Sequence, residues 1–281
     1  MKTLWNDQII EKNEVTIDPE DRGYQFGDGI YEVVAIYGGQ LFEWDAHFKR
    51  FVRSAAELSI KLPDYIHSLK ANILTLVKEN NIEDGFTYFQ LTRGAAPRFH
   101  GYPDQSIQPV LTGLVKKKDP NVIFPSSLKA ITTEDNRWLR VDIKSLNLLP
   151  NCMAKQKAIE AGVHEAIFIR NGLVTEASSS NLFAVKDGIL YTHPLSNLIL
   201  NGITRQVTLR LASQLNLKVI EEPFTKEALY TMDEIFITNT GVNIFPVSEI
   251  DGISIGNGEC GKITEQLMTA FNQLLPSKIT L

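Results

Sequence analysis

Three two-residue turns, each set between runs of apolar and β-branched residues, constrain this chain most. Gly38-Gly39 separates residues 30–37 from 40–43, Asn171-Gly172 separates 165–169 from 173–176, and Asp187-Gly188 separates 181–185 from 189–193. Such residue pairs tolerate the positive φ that a tight hairpin demands, so each stretch reads as an antiparallel β-hairpin. Helical patterns lie between the hairpins. Phe48, Phe51, Val52, Ala55 and Leu58 recur at helical spacing behind Asp45, a good N-cap type. Pro63-Asp64 opens a second helix with Ile66, Leu69, Ile73, Leu76 and Val77 on one side. Helices are expected over 151–161, stopped by Gly162, and over 204–215 and 262–274. Further strands are expected over 86–93, 109–115, 128–134, 217–221, 234–238 and 245–250, with short ones across 3–17 around Asn6-Asp7. Each half mixes strands and helices without regular βαβ alternation, which fits an α+β fold better than a doubly wound sheet.

The 281 residues suggest two domains. The stretch 116–125, charged at its start and bounded by prolines, is the expected linker, between a small N-terminal domain (1–118) and a larger C-terminal domain (119–281). Its Lys116-Lys117-Lys118 run reads as solvated surface. Lys+Arg total 28 and Asp+Glu 33, a net charge of −5 that argues against a partner bound by neutralising nucleic-acid phosphates. Cys152 and Cys260 stand alone, so reduced thiols are expected rather than a disulfide framework or a zinc site, and no metal is expected. The N-terminal stretch carries no apolar signal core, and no apolar run approaches the ~20 residues of a membrane span. A soluble cytoplasmic protein with no membrane partner is expected.

Several residues could carry chemistry. Gly27-Asp28-Gly29 is not a dinucleotide fingerprint, because a strand rather than a helix follows it; a tight turn feeding Ile30 is the simpler reading. Lys144 stands in an otherwise apolar and neutral stretch just after an expected strand. Desolvation frees a lysine amine as a nucleophile, and such an amine can bond a carbonyl cofactor, although most lysines in such settings snorkel to solvent. Glu176 precedes Ala177-Ser178-Ser179-Ser180-Asn181, where hydroxyls could orient a carboxylate toward a cofactor; a solvated turn is the plainer alternative. Asn201-Gly202-Ile203-Thr204 opens a helix whose free N–H groups suit a phosphate, and Thr238-Asn239-Thr240-Gly241 offers more amides and hydroxyls. Arg50 could pair with that phosphate or lie on the surface. Arg98 and His100, two apart on a proline-stiffened loop, could bind a carboxylate or simply be exposed. His47, His67, His164 and His193 show no partner at any informative spacing.

In combination and order these segments resemble the class IV aminotransferases, the fold-type IV pyridoxal 5'-phosphate (PLP) enzymes. The resemblance runs from Leu4-Trp5-Asn6 to the final helix. It is carried by Asp21-Arg22-Gly23-Tyr24-Gln25-Phe26-Gly27-Asp28-Gly29, Tyr31-Glu32, Pro97-Arg98-Phe99-His100, Asp142-Ile143-Lys144-Ser145-Leu146-Asn147, Glu176-Ala177-Ser178-Ser179-Ser180-Asn181 and Gly202-Ile203-Thr204-Arg205. It implies a two-domain α+β enzyme with a smaller N-terminal α/β domain and a larger, barrel-like mixed C-terminal domain. It further implies that Lys144 holds PLP as an internal aldimine and moves the proton between the substrate Cα and C4′, and that Glu176 pairs with the pyridine nitrogen.

By the same resemblance, Arg50 with Ile203, Thr204 and Thr240 would hold the phosphate, and Leu200 would pack on the ring. Ser179 and Ser180 would hydrogen-bond around the cofactor or its glutamate. Tyr31, Arg98 and His100 would trap the substrate carboxylate, the last two coming from the neighbouring subunit of a homodimer, and Trp138 would border the site. Within the family the likeness is greatest to members that pass the amino group of a D-amino acid such as D-alanine to a 2-oxo acid such as 2-oxoglutarate. A branched-chain L-aminotransferase or a 4-amino-4-deoxychorismate lyase would keep Lys144, Glu176 and the phosphate cup, and Arg98 with His100 favours the D-branch. A non-catalytic α+β binding module would need all these features to coincide. Pro150-Asn151-Cys152 departs from the family pattern, in which small apolar residues are expected there.

Overall fold

The computed structural model describes residues 1–104, 106–119, 121 and 125–276. Two compact units emerge: residues 1–120 with Ile143–Asn147, and Asn121–Asp142 with Leu148–Leu275. The expected boundary puts Lys144 in the second domain; its short segment groups instead with the first. Within the expected linker, Lys116 and Lys117 still belong to a strand, and residues 120 and 122–124 lie outside the described ones.

The first unit is built on a sheet of β1 (Lys2–Trp5), β2 (Gln8–Glu11), β3 (Gly29–Tyr37), β4 (Gln40–Leu41), β5 (Gly85–Thr92) and β6 (Val110–Lys117). Its order is β2-β1-β6-β5-β3-β4 and every pairing is antiparallel. Gly38 and Gly39 take φ of 54° and 73°, the double left-handed geometry of the hairpin turn. The helices are α1 (Arg22–Phe26), α2 (Trp44–Glu57) and α3 (Leu69–Glu79), the last entered through a 3-10 turn over Asp64–Ser68. Sequence periodicity misses α1, which is too short to show any. Its caps are nevertheless legible: Asp21 accepts from the N–H groups of Gly23 and Tyr24 at 2.8 and 3.3 Å, and Gly27 closes it at φ 66°.

The expected cap of α2 needs correction. Glu43, at φ 52°, is the N-cap, and Asp45 lies inside the first turn, where its charge faces the positive helix end. The buried side of α2 also differs from a purely apolar stripe. Phe51 and Ala55 are buried, but so are His47, Arg50 and Ser54. Phe51 meets Phe89 of β5 at 5.1 Å between ring centroids, and Trp44 meets Phe89 at 5.7 Å, in a core with Leu4, Ile30, Ile73 and Leu76.

The second unit holds β7 (Leu128–Glu134), β8 (Glu165–Arg170), β9 (Leu173–Ala177), β10 (Asn181–Lys186), β11 (Ile189–Thr192), β12 (Val219–Glu221), β13 (Glu234–Asn239), β14 (Asn243–Ile250) and β15 (Ile253–Ser254). The order is β12-β11-β10-β13-β14-β7-β8-β9, with β15 on β14, and the sheet curls into a half-barrel. The β11/β12, β14/β7 and β7/β8 pairs are parallel and the others antiparallel, so the sheet is mixed. Its helices are α4 (Leu149–Glu160), α5 (Ile203–Gln214), α6 (Lys226–Leu229) and α7 (Lys262–Leu274).

Pro150 falls in the first turn of α4, where no backbone donor is needed, so it starts the helix rather than disturbing it. The carboxylate of Glu234, on β13, accepts from the N–H groups of Ile263 and Thr264 at 3.0 and 2.8 Å and so caps α7 from another element. A Cβ on Gly261 would come within 2.0 Å of that carboxylate, so a larger residue there would have to displace the cap. The strand expected just before Lys144 does not form; only an isolated bridge joins Ser145 to Ile30.

Phe51 carries the packing of α2 onto the first sheet and is fully buried. Phe51→Ala is expected to lose about 3–5 kcal/mol of stability, read by urea unfolding, and Phe51→Leu distinctly less. Equal losses would mean that aliphatic bulk contributes nothing at this position and that the ring contacts with Phe89 carry the packing.

Candidate active site

In the first unit, backbone hydrogen bonds clamp the segment that carries Lys144. The Lys144 carbonyl accepts from Tyr31 N–H at 3.0 Å, and its own N–H donates to Ser54 Oγ at 3.3 Å. Leu146 N–H reaches the Gly29 carbonyl at 3.0 Å, and Asn147 Nδ2 donates to the Gly27 carbonyl at 3.2 Å. Lys144 is half-buried, with Nζ 4.2 Å from the centroid of the Tyr31 ring, which stacks on Tyr88 at 5.5 Å. Among the described residues no carboxylate pairs with this ammonium. An amine held over an aromatic face with no counter-ion is a good nucleophile once it is deprotonated.

Arg50 is buried, not a surface arginine. Its Nε and a terminal nitrogen grip Glu32 at 2.7 and 2.8 Å, a bidentate pair. His47, for which no partner is expected from spacing, also meets Glu32, with Nδ1 2.8 Å from Oε2. Burial pushes Glu32 up, but the charge and hydrogen bonds of Arg50 and the hydrogen bond of His47 outweigh it and hold the carboxyl at about 2. Burial depresses His47, so the neutral ring donates its Nδ1 proton to the carboxylate. His164 and His193 likewise find partners: His164 Nδ1 accepts from Lys129 N–H at 3.0 Å, and His193 Nδ1 meets the Pro194 carbonyl at 2.8 Å.

Arg98 and His100 are exposed and both pack on Phe26 of α1, with the guanidinium carbon 4.6 Å and the imidazole centroid 5.6 Å from its ring centroid. Asp28 steadies the same region by accepting from Arg22 at 2.8 Å and from Arg93 at 2.7 Å.

In the second unit, Glu176 on β9 is buried. It accepts from Arg137 at 2.5 Å, from Asn181 Nδ2 at 2.9 Å and from Leu200 N–H at 3.1 Å. Arg137 extends the network to Asp135 at 2.8 Å and stacks 4.2 Å over Phe168. Burial pushes Glu176 up, against the pull of Arg137. Asp135 stays at about 2, because hydrogen bonds from Arg137 and Arg170 overcome its own desolvation. Sequence reasoning passes over Arg137 and Asp135, which stand only two residues apart, because nothing in that spacing marks a buried ion pair; Asn181 enters it only as the end of the serine segment.

Asn181 also donates to the Leu200 carbonyl at 2.8 Å, and a Cβ on Gly202 would come within 2.1 Å of its Oδ1. The chain therefore enters α5 at glycine, with no side chain capping the N–H groups of Ile203 and Thr204. Ser179 and Ser180 do not reach Glu176; their hydroxyls reach Glu165 at 3.4 Å each. Thr240 follows β13 and is half-buried, and Trp138 is 38% exposed.

The charge pairs fix a pH response. Glu32 moves from 4.5 to about 2 on folding, and Asp135 from 3.8 to about 2. Both depressed carboxyls stabilise fully above their unfolded values, and that contribution drains away as pH falls toward about 2. His47, depressed from 6.5, adds a loss that begins as pH drops below that value. Unfolding free energy measured by urea titration should therefore fall on acidification. Glu32→Gln should be less stable near neutral pH yet show a shallower acid decline; a slope as steep as wild type would contradict the pairing.

The amino-transferase class IV family model matches residues 29–250. D-alanine aminotransferase of Bacillus licheniformis is 46% identical over 278 residues, 99% of this chain and 98% of that protein. D-alanine aminotransferase of Listeria innocua is 47% identical over 274 residues, 96% of this chain and 95% of that protein. Branched-chain amino acid aminotransferase of Escherichia coli has the same fold, with a TM-score of 0.91 at 23% identity, covering 99% of this chain and 97% of that one. The T.th. branched-chain enzyme complexed with N-(5'-phosphopyridoxyl)-L-glutamate gives 0.87 at 26% identity, covering 97% and 93%. With a family match over most of its length and relatives this similar across nearly all of it, the chain belongs to the class IV aminotransferases.

Proposed function

We propose that the protein is a D-amino acid aminotransferase, a PLP-dependent enzyme that passes the amino group of a D-amino acid such as D-alanine to a 2-oxo acid such as 2-oxoglutarate. The observation that carries this reading is the near-full-length likeness to D-alanine aminotransferases. The branched-chain enzymes share the fold at much lower identity and do not displace it.

The cofactor fit has support in several places. Lys144 offers an amine without a carboxylate partner, and Glu176 offers a buried acceptor for a ring nitrogen. The uncapped start of α5 offers N–H donors for a phosphate. Thr238, buried at the end of β13, has a hydroxyl with no hydrogen-bond partner, a polar atom still waiting for one.

When bound, PLP supplies a carbon that takes up an amino group and an electron-poor ring that accepts the electron pair of Cα. Lys144 would hold it through the amine and, once free of it, would move a proton between the substrate Cα and C4′. Glu176, with Arg137 pulling it toward the carboxylate, would face the ring nitrogen and favour its protonated form. Arg50, Ile203, Thr204 and Thr240 would hold the phosphate, Leu200 would pack on the ring, and Ser179 and Ser180 would border it. Tyr31 with Arg98 and His100 would bind the substrate carboxylate and so set which Cα substituent meets Lys144. Arg98 and His100 would come from the second copy in a homodimer. Among the described residues no helix is long and apolar enough to cross a membrane, and the cytoplasm is the proposed location.

D-alanine mixed with the holoenzyme should bleach its visible cofactor band, and L-leucine should not; the reverse pattern would overturn the D-specific reading. Borohydride reduction followed by digestion should tag the peptide that contains Lys144, and Lys144→Ala should lose more than about 10⁴-fold in turnover. A tag elsewhere rules the lysine out. Arg98→Ala should raise KM for D-alanine by about 10- to 100-fold while PLP affinity stays near wild type. Equal loss of both would contradict the carboxylate role.

A further inference from the structure

We propose that Glu165 is a positioning residue for the phosphate cup, acting through Ser180 and Asn239 on the turn that carries Thr240. The inference rests on the reading above that Thr240 helps hold the cofactor phosphate.

Glu165 opens β8 and is 2% exposed. Among the described residues no cation pairs with it; neutral donors surround it instead. One oxygen accepts from Ala166 N–H at 2.8 Å and from the Ser178 hydroxyl. The other accepts from the hydroxyls of Ser179 and Ser180, each at 3.4 Å. A carboxylate in such a place is costly to bury, and three serines in a row are what meets it.

The polarity of these bonds runs in one direction. A carboxylate only accepts, so Ser180 gives it the hydroxyl hydrogen and keeps lone pairs for a donor from the other side. That donor is Asn239 Nδ2, at 2.8 Å. The Asn239 amide therefore points its oxygen away from Ser180, where it accepts from Gly241 N–H at 2.7 Å and Val242 N–H at 2.9 Å. Backbone N–H groups can only donate, so this orientation is fixed independently from both ends. The turn so closed contains Thr240.

The serine turn is itself anchored. Ser178 N–H meets the Ala166 carbonyl at 2.9 Å, Ala177 N–H meets the Ser180 carbonyl at 2.7 Å, and Asn151 Nδ2 donates to the Ser178 carbonyl at 2.8 Å. Asn151, part of the departure from the family pattern, thus braces the turn that presents Ser180.

The test is a titration of the full-length protein, freed of cofactor, with PLP and separately with pyridoxal, which lacks the phosphate. Wild type should bind PLP much more tightly than pyridoxal. Glu165→Gln turns an N–H toward the serine hydroxyls and reverses the chain of donors. It should weaken PLP by about 10-fold and pyridoxal by less than about 2-fold. In a Ser180→Ala background the same change should have no further effect, because the link is already cut. If Glu165→Gln does not fold, Asn239→Gln, which displaces the amide from Ser180, should show the same selective loss. Equal weakening of PLP and pyridoxal, no weakening of either, or a Glu165→Gln effect that persists beside Ser180→Ala overturns the inference. Wild-type protein that binds pyridoxal as tightly as PLP overturns the phosphate-cup reading first, and the inference with it.

Discussion

A carboxylate taken out of water must be met by donors, and the working parts of this protein are arranged around carboxylates met in different ways. Glu32 is gripped by the forked guanidinium of Arg50 and by a neutral His47. Glu176 takes Arg137, an asparagine and a backbone N–H. Glu165 takes only serine hydroxyls and one backbone N–H. The differences have chemical consequences. The Glu32 pair keeps its charge down to about 2. Glu176, with burial working against its cation, is pushed upward.

These pairings also explain which features were legible in the sequence. The hairpins were, because Gly38-Gly39, Asn171-Gly172 and Asp187-Gly188 declare their geometry within two residues. Helices α3 and α7 were, because their apolar faces repeat over three turns or more. Helix α1 was not: its five residues leave no room for a period, and its signal lies in the Asp21 and Gly27 caps. The pairing of His47 was not, because Glu32 stands fifteen residues away on another element, and no local spacing encodes that. Lys144 and Glu176 stood out as polar residues in poor surroundings. Arg137 and Asp135 did not, since a polar surface stretch and a buried ion network look alike until the chain has folded.

Small residues set the fine geometry where these networks meet backbone. Asn181 binds Glu176 and the Leu200 carbonyl with one amide nitrogen, and its oxygen occupies the space that a side chain at residue 202 would need. Glycine at 202 thus follows from the asparagine at 181, and the open start of α5 follows from both. At Gly27 two constraints coincide: φ is 66°, and a Cβ would meet Asn147 Oδ1 at 2.8 Å. The segment that carries Lys144 is therefore held at a position where the chain tolerates neither a bulkier residue nor a different turn.

The fold draws unequally on different parts of the chain. The sheet order and its pairings are scaffold, and branched-chain enzymes keep that scaffold with barely a quarter of the residues in common. What can differ at so little cost to the fold is an exposed loop. Residues 97–100 carry no regular structure, are exposed, and touch α1 chiefly through Phe26. Exchanging Arg98 or His100 removes no core packing and breaks no sheet bond, so this loop can vary at little cost to the fold. Lys144 and Glu176 differ in this respect. The clamps on Lys144 run through its backbone and any residue could make them, whereas Glu176 is buried in an ion network, so a change there is felt by the structure.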